Sequence, residues 1–321
     1  MARKRTTDKP TSVVAEPTRE FHDSFDTAGV RIIRGDVREE LKVIPDGVFH
    51  TCVTSPPFWG MRDYGYEGQI GAEAKVTDYI TDLVAVFREV RRVLRDDGTF
   101  WLNIANTYTS GGRAWRDSDE KNKGRFMSYR PDTPEGLKPK DLIGIAWMLA
   151  MACQLDGWYL RSDIIWYKPN CQPESVRDRV TQAHEYLFMF SKSEDYYFDR
   201  EAIKEPTKDG KGYKNKRSVW AINTEPYKDA HFAVFPRALV QPCILAGSPA
   251  GGFVLDPFLG SGTVAAVALQ TGRKCLGVEL KEDFVRMAKK RVAAVTSDLF
   301  LPALSTLCQT PTLHELGNGI S

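Results

Sequence analysis

No stretch of the 321-residue sequence approaches the roughly 20 consecutive apolar residues that cross a bilayer. The opening MARKRTTDKPTSVVAEPTRE lacks the apolar centre of a secretory leader, so a cytoplasmic protein is expected. Cysteine is sparse. Its six copies (Cys52, Cys153, Cys171, Cys243, Cys275, Cys308) form no CxxC pair and no Cys/His finger spacing, which argues against a zinc site and a disulfide framework alike. They are read as reduced, mostly buried thiols, and no metal is expected. Charge of one sign is also scarce: the net value is only +2, which neither demands nor excludes a nucleic-acid partner, because the placement of charge decides.

Two stretches concentrate positive charge. Asn106 to Lys140 holds eight basic and five acidic residues, and Lys204 to Arg217 holds six basic and two acidic. Glycines and the aromatics Trp115, Phe126, Tyr129 and Tyr213 are interspersed, a composition suited to loops that meet phosphates and bases. Ordinary solvated loops would have the same composition. The expected DNA contacts are Arg113, Arg116, Lys121, Lys123 and Arg125 in the first stretch, and Lys211, Lys214, Lys216 and Arg217 in the second.

Residues 1–27 and 299–321 have no apolar periodicity and are expected to be tails, which leaves 28–298 as the folded domain. Within it, β-rich runs alternate with helical patterns: RIIRGD at 31, FHTCVTSPP at 49, TFWLNIA at 99, LRSDIIWY at 160, EYLFMFS at 185, GFVLDPF at 252 and KCLGVEL at 274. In DYITDLVAVFREVRRVLRDDG, the positions Ile80, Leu83, Val84, Phe87, Val90 and Leu94 share one helical face, and Asp96, Asp97 and Gly98 end the pattern. KDLIGIAWMLAMACQLDGW is apolar almost all round and predicts a helix packed deep against a sheet, stopping at Asp156 and Gly157. Two more helices are expected after Gly262 and Lys281. The alternation predicts an α/β fold: one seven-stranded, mainly parallel sheet with helices on both faces. Ligands of such sheets bind beyond the carboxyl ends of the strands.

Three clusters sit at those ends. Asp256-Pro257-Phe258-Leu259-Gly260-Ser261-Gly262-Thr263 is a tight glycine turn between strand and helix, where a ligand can approach the backbone closely. Asp256 suits a cation better than a phosphate, so the turn points to S-adenosylmethionine, with its sulfonium and ammonium, rather than a dinucleotide. Alternatively, Asp256 caps the following helix. Glu279, followed by Leu280, ends the next strand, where an acidic residue can accept hydrogen bonds from ribose hydroxyls. Thr54-Ser55-Pro56-Pro57-Phe58 is the most discriminating cluster. Two prolines fix φ twice and remove two donors, leaving a stiff corner of carbonyl acceptors. Ser55 Oγ and such a carbonyl can take the two N–H groups of an exocyclic base amine and free its lone pair for attack on a methyl sulfonium. Phe58 can stack on a base rotated out of the duplex.

In this order the motifs resemble the amino-group DNA methyltransferases of the β arrangement, in which the catalytic motif precedes the cofactor motif. VTSPPF at 53–58 looks like the catalytic motif in its serine form, which the resemblance associates with N4-cytosine enzymes, the aspartate form being typical of N6-adenine enzymes. DPFLGSGT at 256–263 is similar to the cofactor turn and GVEL at 277 to the ribose-binding strand. HFAVFPRALVQPCI at 231–244 resembles the helix before that turn, implying that Phe235 and Pro236 line the cofactor pocket. Asp36 resembles the residue that faces the cofactor adenine. The resemblance spans about residues 30–295 and implies a Rossmann-like S-adenosylmethionine-dependent methyltransferase fold with circularly permuted motifs. It further implies double-stranded DNA as partner and base flipping; whether a companion restriction endonuclease exists is not readable from the sequence, and one would be a separate chain. One departure concerns DNA reading: members often carry a long recognition region before the pre-cofactor helix, whereas about 30 residues separate Asp199 from His231. Recognition is therefore expected to be shared between insertions at about 106–140 and 200–231.

Other residues invite competing readings. Pro242-Cys243 matches the nucleophile of carbon-5 cytosine methylation but lies in a helical pattern. His184 and His231 are candidate general bases for the amine proton, against a structural role and against loss of that proton to water or a carbonyl. Arg177 and Arg179 are candidate phosphate contacts. The rival functions are N6-adenine methylation, a nicotinamide dehydrogenase using the glycine turn, and a non-catalytic DNA-binding protein. Neither the recognition sequence nor the oligomeric state is readable.

Overall fold

The computed structural model describes residues 29–61, 64–109, 131–225 and 236–307, with side chains to 297. The sheet strands are β1 (Val30–Arg34), β2 (Phe49–Thr54), β3 (Leu94–Ile104), β4 (Tyr159–Tyr167), β5 (His184–Ser191), β8 (Val219–Ala221), β9 (Phe253–Asp256) and β10 (Lys274–Glu279). A small separate hairpin pairs β6 (Glu205–Pro206) with β7 (Tyr213–Lys214). The helices are α1 (Val37–Glu40), α2 (Val76–Val93), α3 (Ile145–Leu155), α4 (Arg237–Gly247), α5 (Thr263–Gln270) and α6 (Glu282–Leu307).

The strands lie in the order β1-β10-β9-β2-β3-β5-β4-β8. Every neighbouring pair is parallel except those made by β5, which runs against β3 and β4. All seven expected strands are present. An eighth, β8, extends the edge; three residues are too short to stand out in a sequence, and Trp220 fixes this strand by burying its ring while donating its indole N–H to the Arg217 carbonyl.

Strand alternation sends consecutive residues to opposite layers. Cys52, Phe100, Leu102, Phe188 and Leu255 face α1, α2 and α3. Val53, Trp101, Leu187, Met189 and Val254 face α4, α5 and α6. With both faces covered, the central strands read as continuous apolar runs, as expected of a buried parallel sheet.

Two helix expectations need correction. The buried face of α2 is Val76, Tyr79, Leu83, Val86, Phe87, Val90 and Val93. Ile80 and Val84 flank it, and Leu94 already belongs to β3, because the chain turns from helix to strand at Leu94 with no intervening loop. In α3 only Ile145, Ala146, Leu149, Ala150 and Cys153 are buried, while Met148, Met151 and Leu155 face outward. Apolar composition all round did not mean burial all round, since α3 covers one end of the sheet and nothing among the described residues covers α3. Helix α6 continues through the Leu299 boundary to Leu307.

Candidate active site

The connections from β9 and β2 diverge, β9 leading to β10 on one side and β2 to β3 on the other. Such a switch of direction opens a crevice at the carboxyl edge of a parallel sheet. A cleft of about 300 Å³ lies there. Its floor is tied by one buried hydrogen bond: Thr54 Oγ1, ending β2, donates to Asp256 Oδ1, ending β9, at 2.6 Å across 202 residues of sequence. The proline corner and the glycine bend therefore face one cavity.

The bend is shaped by close packing. Gly260 and Gly262 have φ of +53° and +83°, a region L side chains avoid. A Cβ on Gly262 would stand 2.8 Å from both Cα and Cβ of Ala288 in α6. Glu279 holds the bend from the neighbouring strand, its carboxylate accepting from the Gly260 and Lys281 N–H groups, both at 2.8 Å. Burial raises the Glu279 carboxyl pKa against these bonds.

Asp256 is fully buried. Its Oδ1 also accepts from the Phe258 N–H at 3.1 Å, while Oδ2 has no partner among the described residues. Burial pushes this carboxyl up to about 7, the Thr54 and Phe258 bonds opposing and the Glu279 charge assisting. An unfolded aspartate titrates near about 3.9. Between those values the folded protein holds a proton that the unfolded chain has released, so stability falls as pH rises through the window, by at most about 1.4 kcal/mol per pH unit. Urea unfolding at several pH values should show this slope in the wild type and a flatter one in Asp256→Asn. An unchanged slope in the variant would mean that another group is responsible.

Across the cleft, Ser55, Pro56, Pro57 and Phe58 form the wall after β2. The Tyr79 hydroxyl donates to the Pro57 carbonyl at 2.8 Å, and the Gly60 N–H donates to the Gly71 carbonyl at 2.9 Å. The corner is thus braced from α2 and from the loop that precedes α2.

The structure gathers most of the residues singled out from sequence. Asp36, Pro257, Phe258, Gly260, Ser261, Thr263, Glu279 and Leu280 line the cleft on the side of the glycine bend. Asp36 caps α1 and is bound by Arg38, which accounts for its carboxyl lying below the usual range. Asp256 and Gly262 are not in the lining: Asp256 is buried beneath it, and Gly262 allows α5 to pack on α6. Pro236 begins α4, buried and outside the lining. Cys243 is fully buried within α4, with its thiol directed at the Leu239 carbonyl. Phe235, His231, Arg113, Arg116, Lys121, Lys123 and Arg125 lie outside the described residues.

The basic hairpin precedes the edge strand β8 in the chain. Lys214 and Arg217 there pair with Glu205, Lys216 lies over the Trp220 ring, and Lys211 is exposed. Arg179 is held by Glu174 and stacks on Tyr108, while Arg177 is exposed. Among the lining residues that escaped the sequence reading, Asn103, Trp166 and Glu185 close the far side of the cleft beyond Ser55.

A family profile described as DNA methylase matches residues 49–290. Type II methyltransferase M.SmaI of Serratia marcescens is 63% identical over 263 residues, which is 82% of this chain and 90% of that protein. Type II methyltransferase M.Cfr9I of Citrobacter freundii is 54% identical over 264 residues, covering 82% of this chain and 88% of its own length. Among solved structures, the PvuII DNA methyltransferase (cytosine-N4-specific) aligns with a TM-score of 0.63 at 20% identity, over 85% of this chain and 92% of that one. A Thermus thermophilus protein solved in complex with S-adenosyl-L-methionine aligns at 0.56 and 26% identity, over 83% and 95%.

Proposed function

Because this chain belongs to the N6/N4 DNA methylase family, we propose that it methylates the N4 amino group of a cytosine flipped out of double-stranded DNA. The observation that carries the reading is the buried Thr54–Asp256 bond, which sets the serine-bearing proline corner against the cofactor bend. Serine rather than aspartate at position 55 favours cytosine over adenine.

The cofactor of the family is S-adenosyl-L-methionine, which supplies an electrophilic methyl group when bound. The residues present fit it. Asp256 Oδ2 and Ser261 Oγ are buried polar atoms without partners among the described residues, suited to a ligand that carries both ammonium and carboxylate. Glu279 keeps acceptor capacity for ribose hydroxyls after its two backbone bonds. Asp36 would hold the adenine end, and Pro257, Phe258, Gly260, Thr263 and Leu280 would shape the remainder.

On the opposite wall, Tyr79 occupies the Pro57 carbonyl, so the acceptor pair for the amine is Ser55 Oγ and the Pro56 carbonyl. Two accepted hydrogen bonds withdraw the nitrogen lone pair from the ring and aim it across the cleft. Phe58, packed against the core, forms a platform for the base face. The methyltransferase domain begins at about residue 28 and includes the whole of α6 to Leu307. The basic residues in and just after the hairpin, Lys211, Lys214, Lys216 and Arg217, with the insertion at about 106–140, supply DNA contacts. The companion endonuclease of a restriction-modification pair would be a separate polypeptide.

Nucleoside mass spectrometry of DNA from cells expressing the protein should show N4-methylcytosine, absent from cells expressing Ser55→Ala. N6-methyladenine in its place would overturn the target-base assignment, and no methylated base of either kind would overturn the reading as a whole.

A further inference from the structure

A partly buried ion pair at the cleft wall has no part in the reading above. Glu185 is the second residue of β5, directly opposite Trp166 of β4. Its Oε1 accepts from Lys168 Nζ at 2.8 Å and its Oε2 from Asn103 Nδ2 at 3.0 Å. The Lys168 and Glu185 side chains are only 17% and 15% exposed. Strand pairing brings Asn103 level with Ser55, Thr54 being opposite Leu102, and places Glu185 one step beyond the Ile104–Tyr186 pair. Ser55, Asn103 and Glu185 thus line one side of the same cavity.

An ion pair withdrawn from water adds little net stability, because desolvation offsets most of the attraction. What this one does is hold a carboxylate in a fixed orientation beside the seat of the amine, with acceptor positions to spare beyond its two partners. His184, the neighbour considered from sequence as a general base, projects to the other face of the strand, edge-on to the Tyr186 ring at 5.5 Å, and lies outside the cleft lining.

We infer that Glu185 is the proton acceptor for the methylated amine, an assignment that rests on the reading of the Ser55 corner as the amine site. As the nitrogen lone pair bonds to the methyl carbon and the methyl–sulfur bond breaks, positive charge passes from sulfur to nitrogen. The nitrogen then gives one proton to the Glu185 carboxylate, which releases it to solvent when the product leaves. Before transfer, the same negative charge favours the arrival of positive charge on the nitrogen.

The test compares wild type, Glu185→Gln and Lys168→Gln in single-turnover methyl transfer from labelled S-adenosylmethionine. Melting temperature, cofactor affinity and the fluorescence of 2-aminopurine at the target position, which reports base flipping, are measured alongside. Glu185→Gln should slow transfer about 100-fold while cofactor affinity and the flipping signal stay within about twofold. Lys168→Gln breaks the same ion pair but leaves the carboxylate, and should lose less than about tenfold. Glu185→Asp should recover at least about tenfold over Glu185→Gln. Equal losses in Glu185→Gln and Lys168→Gln would make the pair structural and overturn the assignment. So would a Glu185→Gln rate within about threefold of wild type, the result expected if water takes the proton. A wild type that methylates adenine would defeat the cytosine reading, and the comparison of variants would still decide the role of Glu185.

Discussion

Ser55→Ala should reduce single-turnover methyl transfer by about 10²–10³-fold while leaving S-adenosylmethionine affinity unchanged. The amine is a weak nucleophile because its lone pair belongs to the ring, and the corner compensates with two acceptors aimed at the two N–H groups. Removing Ser55 Oγ takes away one of them. The other, the Pro56 carbonyl, remains, because the double proline and the Tyr79–Pro57 bond hold the backbone independently of the serine. The cofactor half of the cleft is built from other strand ends, so binding there has no reason to change. Single-turnover assays and calorimetry on the same preparation separate the two effects; a loss of binding equal to the loss of rate would place Ser55 in folding rather than in chemistry.

The second large effect is expected at Gly262, through backbone and packing rather than reactivity. The residue has φ +83° and begins α5 directly against α6. An alanine there carries a left-handed backbone penalty of about 1–2 kcal/mol. Its Cβ would also stand 2.8 Å from Ala288 Cα and Cβ, an overpacking that adds about 1–3 kcal/mol. Against a total stability of about 5–15 kcal/mol, Gly262→Ala should lower the melting temperature by several degrees and distort the bend that carries Gly260 and Ser261, weakening cofactor binding. Adding Ala288→Gly, which removes one of the two contacts, should restore part of both losses. Full cofactor affinity in Gly262→Ala would show that the bend tolerates a shift of α5 away from α6.

Much of this molecule was legible without coordinates. Seven strands announced themselves because a parallel sheet covered on both faces needs unbroken apolar runs, and FHTCVT, TFWLNI and EYLFMFS supply them. The glycine bend and the double proline were equally plain, since positive φ strongly favours glycine and a ring-fixed φ is proline's alone. The helix faces were less legible. Ile80 and Val84 differ little from Val86 and Val93 by composition, and only packing on the sheet decides which of them is buried. Likewise, nothing in IAWMLAMACQL states that one side of the helix meets solvent.

What residue order determined by itself was local: strand and helix periods, the stiff corner at Ser55-Pro56-Pro57, the tight bend at Gly260 and Gly262, and therefore the chemistry each could offer. What only the folded chain decided was strand direction and neighbourhood. Because β5 runs against the rest of the sheet, its first residues rather than its last arrive at the carboxyl edge, so Glu185 reaches the cleft although it precedes its strand's apolar run. Thr54 and Asp256 meet for a related reason: β2 and β9 become neighbours only through pairing contacts made across 202 residues, and no period within a sequence records which distant strand will lie alongside.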